Sequence, residues 1–301
     1  MNAISKLTLH DGQNRGMAPV TYGKGERPPR GDYSRAAADY TCDQDFDAYT
    51  REEHSLYTRL YHRQFTQLKK FACDPFIESL NALDATEAIP RLEEVSEKLY
   101  RTTRWQLVAV PGLIPEEAFF SLLAGRKFPV TKWLRTPAEI DYIVEPDIFH
   151  DFFGHVPLLF NPIFADYMQA YGQGGLKAGG LTACQHLARL YWYTVEFGLI
   201  DTSQGLRIYG AGILSSSTES RYSLLHPAPS RVAFDLERVM RTEYQIDSFQ
   251  QTYFVIDSFD DLFRATEPDF TAIYERLRSQ PAIRANTLLV GEKTFAPDAT
   301  P

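Results

Sequence analysis

Between positions 52 and 70 apolar side chains return about once per helical turn, at Leu56, Leu60, Phe65 and Leu68, and that spacing predicts one long helix. Shorter helices are predicted over 76–83 and 89–99. The second opens on Pro90, which a helix accepts in its first turn because that amide has no intrahelical acceptor. Segment 115–125 begins with Pro and two acids and ends on Gly, the pattern of a helix with its termini satisfied. Further helices are predicted over 144–154, 161–172, 181–198 and 228–241, with a last one near 270–277. Extended candidates are few and short: 105–110, 206–209 and 251–256. The expected fold is mostly α with small β additions.

Composition narrows the class. A chain of 301 residues that is 44% hydrophobic, with 17 Tyr and 20 Phe, buries a large core and is too aromatic to be disordered. A net charge of -8 argues against a nucleic-acid partner, which calls for a basic stripe. Cys42, Cys73 and Cys184 are widely spaced and odd in number, which suits reduced thiols better than a disulfide framework. The first ten residues lack the apolar core of a signal peptide, and no stretch reaches a membrane span, so a cytoplasmic protein without a membrane partner is expected. The tract Tyr171-Gly-Gln-Gly-Gly-Leu-Lys-Ala-Gly-Gly180 lacks the ending of a phosphate loop and reads as a flexible connection.

The candidate chemistry sits in Glu145-Pro-Asp-Ile-Phe-His-Asp-Phe-Phe-Gly-His-Val-Pro157, followed by Glu196 within the apolar run Leu190-Tyr-Trp-Tyr-Thr-Val-Glu-Phe-Gly-Leu199. Two imidazoles and one carboxylate in apolar surroundings can hold a non-haem Fe(II) and leave positions open for oxygen. His150 and His155 lie five residues apart, about 140° around an ideal helix, so an unbroken helix would not aim both rings at one point. Gly154 and Pro157 allow the helix to end there and His155 to turn inward. Asp147 and Asp151 are candidates to orient the imidazoles, or else simply cap or face water. Glu196 reads either as a ligand or as a carboxylate reaching to the surface.

These residues carry a resemblance. Ile143-Val-Glu-Pro-Asp-Ile-Phe-His-Asp-Phe-Phe-Gly-His-Val-Pro-Leu-Leu159, Tyr191-Trp-Tyr-Thr-Val-Glu-Phe-Gly-Leu199 and Ile208-Tyr-Gly-Ala-Gly-Ile-Leu-Ser-Ser216 are similar, in order, to the aromatic amino acid hydroxylases that use tetrahydropterin. Similarity extends over about 52–260 and is nearest to the compact bacterial branch acting on phenylalanine. The resemblance implies the aromatic amino acid hydroxylase catalytic-domain fold, with His150, His155 and Glu196 as iron ligands. It implies Arg135 and Ser215 at the substrate carboxylate, and Trp192 and Phe197 around the substrate ring. For the pterin it implies Phe119 as the stacking ring, Gly112 and Ile114 in the loop beneath, Asp151 nearby, and Ala188 and Tyr191 along the wall. Asp151 stands where the animal enzymes have Glu, and Ile143 where they have Thr.

The implied activity is conversion of L-phenylalanine to L-tyrosine with O2 and a tetrahydropterin cosubstrate, tetrahydrobiopterin or a relative, at a mononuclear Fe(II). Pterin-recycling enzymes would stand beside it in the pathway. A tryptophan or tyrosine hydroxylase is the alternative within the family, and a zinc-dependent hydrolase with a metal-bound water the alternative outside it. The expected organisation is an irregular leader over 1–45, a catalytic iron-binding domain over 46–270, and a C-terminal helix and tail over 271–301. The tail shows no sustained heptad, so no tetramerisation domain and a monomer are expected.

Overall fold

The computed structural model describes residues 30–83, 88–180, 183–246, 248–267 and 269–298. The first 29 residues of the expected leader lie outside them. Within 30–45 the chain makes one 3-10 turn, Tyr33–Arg35, and Cys42 bridges to Ala109.

The predicted long helix is α1, Arg51–Leu68, closed at its start by a reciprocal Thr50/Glu53 capping box. It buries Leu56, Tyr57, Leu60, Tyr61, Gln64 and Leu68, one stripe of its surface. There follow α2 (Asp74–Leu83), α3 (Leu92–Thr103), β1 (Gln106–Val110), α4 (Glu116–Ala124), β2 (Lys127–Thr131), α5 (Pro162–Gly180) and α6 (Cys184–Tyr191). The second half carries β3 (Leu199–Thr202), β4 (Gly205–Ile208), α7 (Ala211–Leu214), α8 (Ser217–Leu225), β5 (Ser230–Ala233), α9 (Leu236–Arg241), β6 (Thr252–Ile256), α10 (Phe259–Thr266) and α11 (Thr271–Leu277). Strands β1 and β2 pair in parallel, and the second sheet runs β4-β3-β6-β5 with only the β3/β4 pair antiparallel. The mostly α fold with small sheets is therefore as expected.

Several local expectations are corrected. Pro90 precedes α3 instead of opening it. The segment expected as a helix over 228–241 splits into β5 and α9, because Ser230 to Ala233 find a strand partner in β6 that periodicity along one segment cannot reveal. Strand β2 escaped prediction because Pro129 reads as a breaker, yet a two-stranded sheet leaves an edge on which a missing amide is tolerated. The glycine tract 171–180 is the second half of α5. A Cβ at Gly175 would lie 2.0 Å from Phe120 Cδ1, so the absent side chain is what lets α5 press onto α4.

The most consequential correction concerns 144–154. The chain up to Asp147 is irregular, and His150–His155 form a π-helical turn; a second π-turn, Trp192–Glu196, continues from α6. In a π-turn the hydrogen bond links residues five apart, so His150 and His155 share one face without the helix having to end. The opposite face is anchored by aromatics: Phe149 and Phe153 stack at 4.9 Å, and Phe153 meets Tyr61 of α1 and Phe76 of α2 edge-on.

Replacing Gly175 by alanine is expected to lower stability by about 1–2 kcal/mol, the overpacking against Phe120 outweighing the better helix propensity. A thermal melt at or above that of the parent would reject this account of the α4/α5 contact.

Candidate functional site

The two π-turns face each other across one end of a cavity of about 510 Å³, a volume suited to small-molecule sites. His150 Nε2 lies 3.3 Å from His155 Nε2 and 3.5 Å from Glu196 Oε2, and His155 Nε2 lies 3.3 Å from Glu196 Oε1. Among the described residues these three form the group whose ligand atoms converge closely enough to hold a metal ion. Hydrogen bonding selects the form of the first imidazole. Ser215 Oγ donates to the Ala211 carbonyl oxygen at 2.9 Å, which leaves it to accept from His150 Nδ1–H at 2.8 Å. The proton on Nδ1 then leaves Nε2 as a bare lone pair aimed at His155 and Glu196. Burial holds the His150 pKa down at about 4, keeping the ring neutral as a ligand must be. Lone pairs converging on a buried carboxylate repel one another unless a cation lies between them. Ligand atoms about 3.0–3.5 Å apart are the spacing that metal–ligand bonds of about 2.0–2.2 Å require, so the donor set fits a divalent metal.

Asp147 does not orient an imidazole. It is fully buried and accepts from four donors: the Arg135 backbone amide, Arg135 Nε, Arg135 Nη2 and the His150 backbone amide, at 2.9, 2.8, 2.9 and 3.0 Å. Burial raises its pKa, but the Arg135 guanidinium and these bonds more than offset that and hold the carboxyl below its ordinary value. Arg135 lines the cavity and keeps Nη1 outside the pair. Asp151 accepts from the Thr131 amide at 2.8 Å, and burial pushes its pKa up to about 7, outweighing that bond and the nearby His155 ring, which draw it down.

The structure brings the expected site residues together. His150, His155, Glu196, Arg135, Ser215, Trp192, Phe197, Gly112, Ile114, Phe119, Asp151 and Tyr191 all line this cavity. Ala188 lines a neighbouring pocket that shares Glu116 and Ile246 with the first. Phe119 meets Tyr191 edge-on at 5.6 Å, while Trp192 packs against Phe197 and stacks on Tyr244, each at 4.5 Å. Trp192 Nε1 donates to Gln250 Oε1 at 2.8 Å.

Sequence reasoning missed Glu116, Glu219, Tyr244 and Gln250. Glu219 had a readable signal, since Ser216-Ser-Thr-Glu219 has capping-box spacing and Ser216 does accept from the Glu219 amide. The carboxylate itself turns inward to Tyr253 and the Gln250 amide. Nothing local marks Gln250 or Tyr244, whose contacts to Trp192 cross more than fifty residues of chain.

Burial raises the Glu116 pKa to about 7 from an ordinary 4.5, so the folded state holds this proton longer than the unfolded chain does. Its contribution is most favourable below about pH 4.5 and is lost as pH rises through about 7. Glu116→Gln should therefore melt closer to the parent at pH 5 and above it at pH 8. Parallel melting curves at both pH values would contradict the burial of this group.

The comparisons with known proteins agree with the geometry. The family model for biopterin-dependent aromatic amino acid hydroxylases matches residues 13–278. The phenylalanine-4-hydroxylase of Ralstonia nicotianae is 56% identical over 255 residues, covering 84% of this chain and 82% of that protein. The phenylalanine-4-hydroxylase of Caulobacter vibrioides is 54% identical over 266 residues, 88% of this chain and 89% of its own. Among solved structures, the iron- and phenylalanine-bound phenylalanine hydroxylase of Chromobacterium violaceum superposes with a TM-score of 0.83 at 52% identity, covering 87% of this chain and 96% of that one. On its sequence, its fold and the convergence of His150, His155 and Glu196, this chain belongs to the biopterin-dependent aromatic amino acid hydroxylases.

Proposed function

We propose that this chain is a phenylalanine 4-monooxygenase, converting L-phenylalanine to L-tyrosine with O2 and a tetrahydropterin at a mononuclear Fe(II). The observation that carries the reading is the convergence of three ligand atoms in an aromatic cavity that Arg135 also lines, its Nη1 outside the pair with Asp147. Relatives at 54–56% identity named phenylalanine-4-hydroxylase favour phenylalanine over tryptophan or tyrosine as substrate. A solved neighbour with iron and phenylalanine bound supports iron over the zinc of a hydrolase.

His150, His155 and Glu196 would hold the iron on one side, leaving the cavity side for oxygen and substrate. Bound Fe(II) and tetrahydropterin supply the electrons and the oxygen activation for ring hydroxylation. The chain supplies placement. Arg135 Nη1 is available to the substrate carboxylate, while Asp147 holds the rest of the guanidinium in a fixed plane. Trp192 and Phe197, braced by Tyr244, offer flat apolar walls to the substrate ring. Phe119 offers a stacking face to the pterin, with Gly112 and Ile114 beneath it and Tyr191 along the side, whereas Ala188, expected on that wall, faces the neighbouring pocket. Ser215, buried and bonded to His150 Nδ1, acts through the tautomer of that ligand as well as lining the head-group end. These walls exclude water from the reacting ring.

We also read 46–270 as the catalytic domain of a monomer, placed in the cytoplasm and served by separate enzymes that reduce the spent pterin. No helix among the described residues is long and apolar enough to cross a membrane, and all three cysteines are free.

Product analysis after anaerobic Fe(II) loading, then addition of tetrahydropterin, O2 and phenylalanine, should yield iron-dependent tyrosine. Hydroxylation of tryptophan alone would reassign the pocket. Glu196→Ala should lose both tightly held iron and product, and undiminished iron content with normal turnover would remove Glu196 from the ligand set. Arg135→Lys keeps a charge beside Asp147 but loses the planar fork, so KM for phenylalanine should rise roughly tenfold or more with iron content unchanged. An unaltered KM would sink the carboxylate assignment.

A further inference from the structure

One carboxylate in the cavity wall has no role in the chemistry above. Glu219 lies in the first turn of α8, four residues past Ser215, and is 7% exposed while lining the cavity. Its Oε1 accepts from the Tyr253 hydroxyl at 2.7 Å and from the Gln250 amide at 3.2 Å, which leaves Oε2 as the free acceptor. Among the described residues no lysine, arginine or histidine pairs with it, and desolvation dominates its environment. A buried carboxylate without a cation is costly, so burial pushes the Glu219 pKa up to about 7, and a cation arriving at Oε2 would hold it ionised. The cation that phenylalanine brings is its α-ammonium.

Geometry selects Glu219 over the other acids. An ammonium and a carboxylate on the same carbon are close neighbours, so an acceptor for the first must lie near the groups that grip the second. The cavity is lined by five acids: Glu116, Asp141, Asp151, Glu196 and Glu219. Glu196 belongs to the metal-ligand cluster, Asp151 is tied to Thr131, and the exposed Asp141 pairs with Arg63. Glu116 bonds Cys184 and borders the neighbouring pocket on the Phe119 side. Glu219 alone among them is tied to the Ser215 segment, its amide donating to Ser216 Oγ at 3.3 Å, at the end where the proposed function puts the amino acid head group.

We propose that Glu219 Oε2 receives the substrate's α-ammonium, so that Arg135 and Glu219 together read both charges of an α-amino acid. Tyr253 and the Gln250 amide hold the carboxylate in place, and Gln250 in turn holds Trp192, so one short chain of bonds links head-group recognition to the ring wall. The assignment rests on the reading of phenylalanine as substrate.

The test is calorimetric binding of L-phenylalanine and of 3-phenylpropanoate, which lacks the ammonium, to the iron-loaded full chain under anaerobic conditions. The wild type should bind phenylalanine roughly tenfold to a hundredfold more tightly than 3-phenylpropanoate, the range of a charge-assisted hydrogen bond. Glu219→Gln keeps both acceptor bonds of Oε1 and should lose about that factor for phenylalanine only, with 3-phenylpropanoate unchanged within about twofold. Equal affinity of the two ligands for the wild type, or an equal loss of both in the variant, would overturn the assignment. The wild-type comparison decides even if the variant does not fold. Turnover of phenylalanine without discrimination removes Glu219 alone, whereas a wild type that neither binds nor hydroxylates phenylalanine removes the substrate reading and this assignment with it.

Discussion

The geometry of the site depends on the buried pair between Arg135 and Asp147. Asp147 is saturated, with three donors from Arg135 and a fourth from the amide that opens the first π-turn. The same carboxylate therefore sets where the guanidinium points and where His150 begins. Such a pair adds little net stability over an apolar substitute, because desolvating both charges offsets their attraction. Its value is directional: the fork is planar, its pairing is bidentate, and breaking either half leaves a charge stranded. Arg135 and the metal cluster are thereby held to one another through a single side chain.

Around that pair the fold supports two segments of uncommon backbone. π-turns are rare, and packing has to compensate for their poorer helix geometry. The first is braced from behind by Phe149 and Phe153 against α1 and α2, and from the side by α7, where a Cβ on Gly154 would come within 2.9 Å of the Ala211 carbonyl oxygen. The second places Trp192 and Glu196 within one turn, so a wall of the cavity and a proposed iron ligand move as a unit. Trp192 is itself fixed at three points, by Phe197, Tyr244 and Gln250. Rigid placement of this kind is what the chemistry asks of the protein, since the metal and the pterin carry the electrons.

Charge is distributed along the cavity in keeping with an amino acid substrate. Arg135, paired with Asp147 through Nε and Nη2, keeps Nη1 outside that pair, and Glu219 is a carboxylate with no cation beside it among the described residues. Trp192, Phe197 and Phe119 line the same cavity with apolar faces. Glu116, with its pKa raised by burial, separates this cavity from the neighbouring pocket that Ala188 lines.

The sequence by itself determined the class of fold, because α1 writes a helical period and β6 a short unbroken apolar run in consecutive residues. It also singled out His150, His155 and Glu196 as candidate donors, polar residues embedded in apolar text, while leaving Glu196 open between a ligand and a surface carboxylate, a choice that the family resemblance decides. Tertiary structure decided how those donors meet. Five-residue spacing points two ways on an α-helix, and only packing of Phe149 and Phe153 against distant helices stabilises the π-turn that aligns them. It decided the partners of Asp147 and Ser215, which depend on atoms twelve and sixty-five residues away. It turned a glycine tract into a helix because Phe120 of α4 fills the space that side chains would have taken. Local pattern records what a segment can bury, whereas which groups face one another is set by contacts between segments that no local window contains.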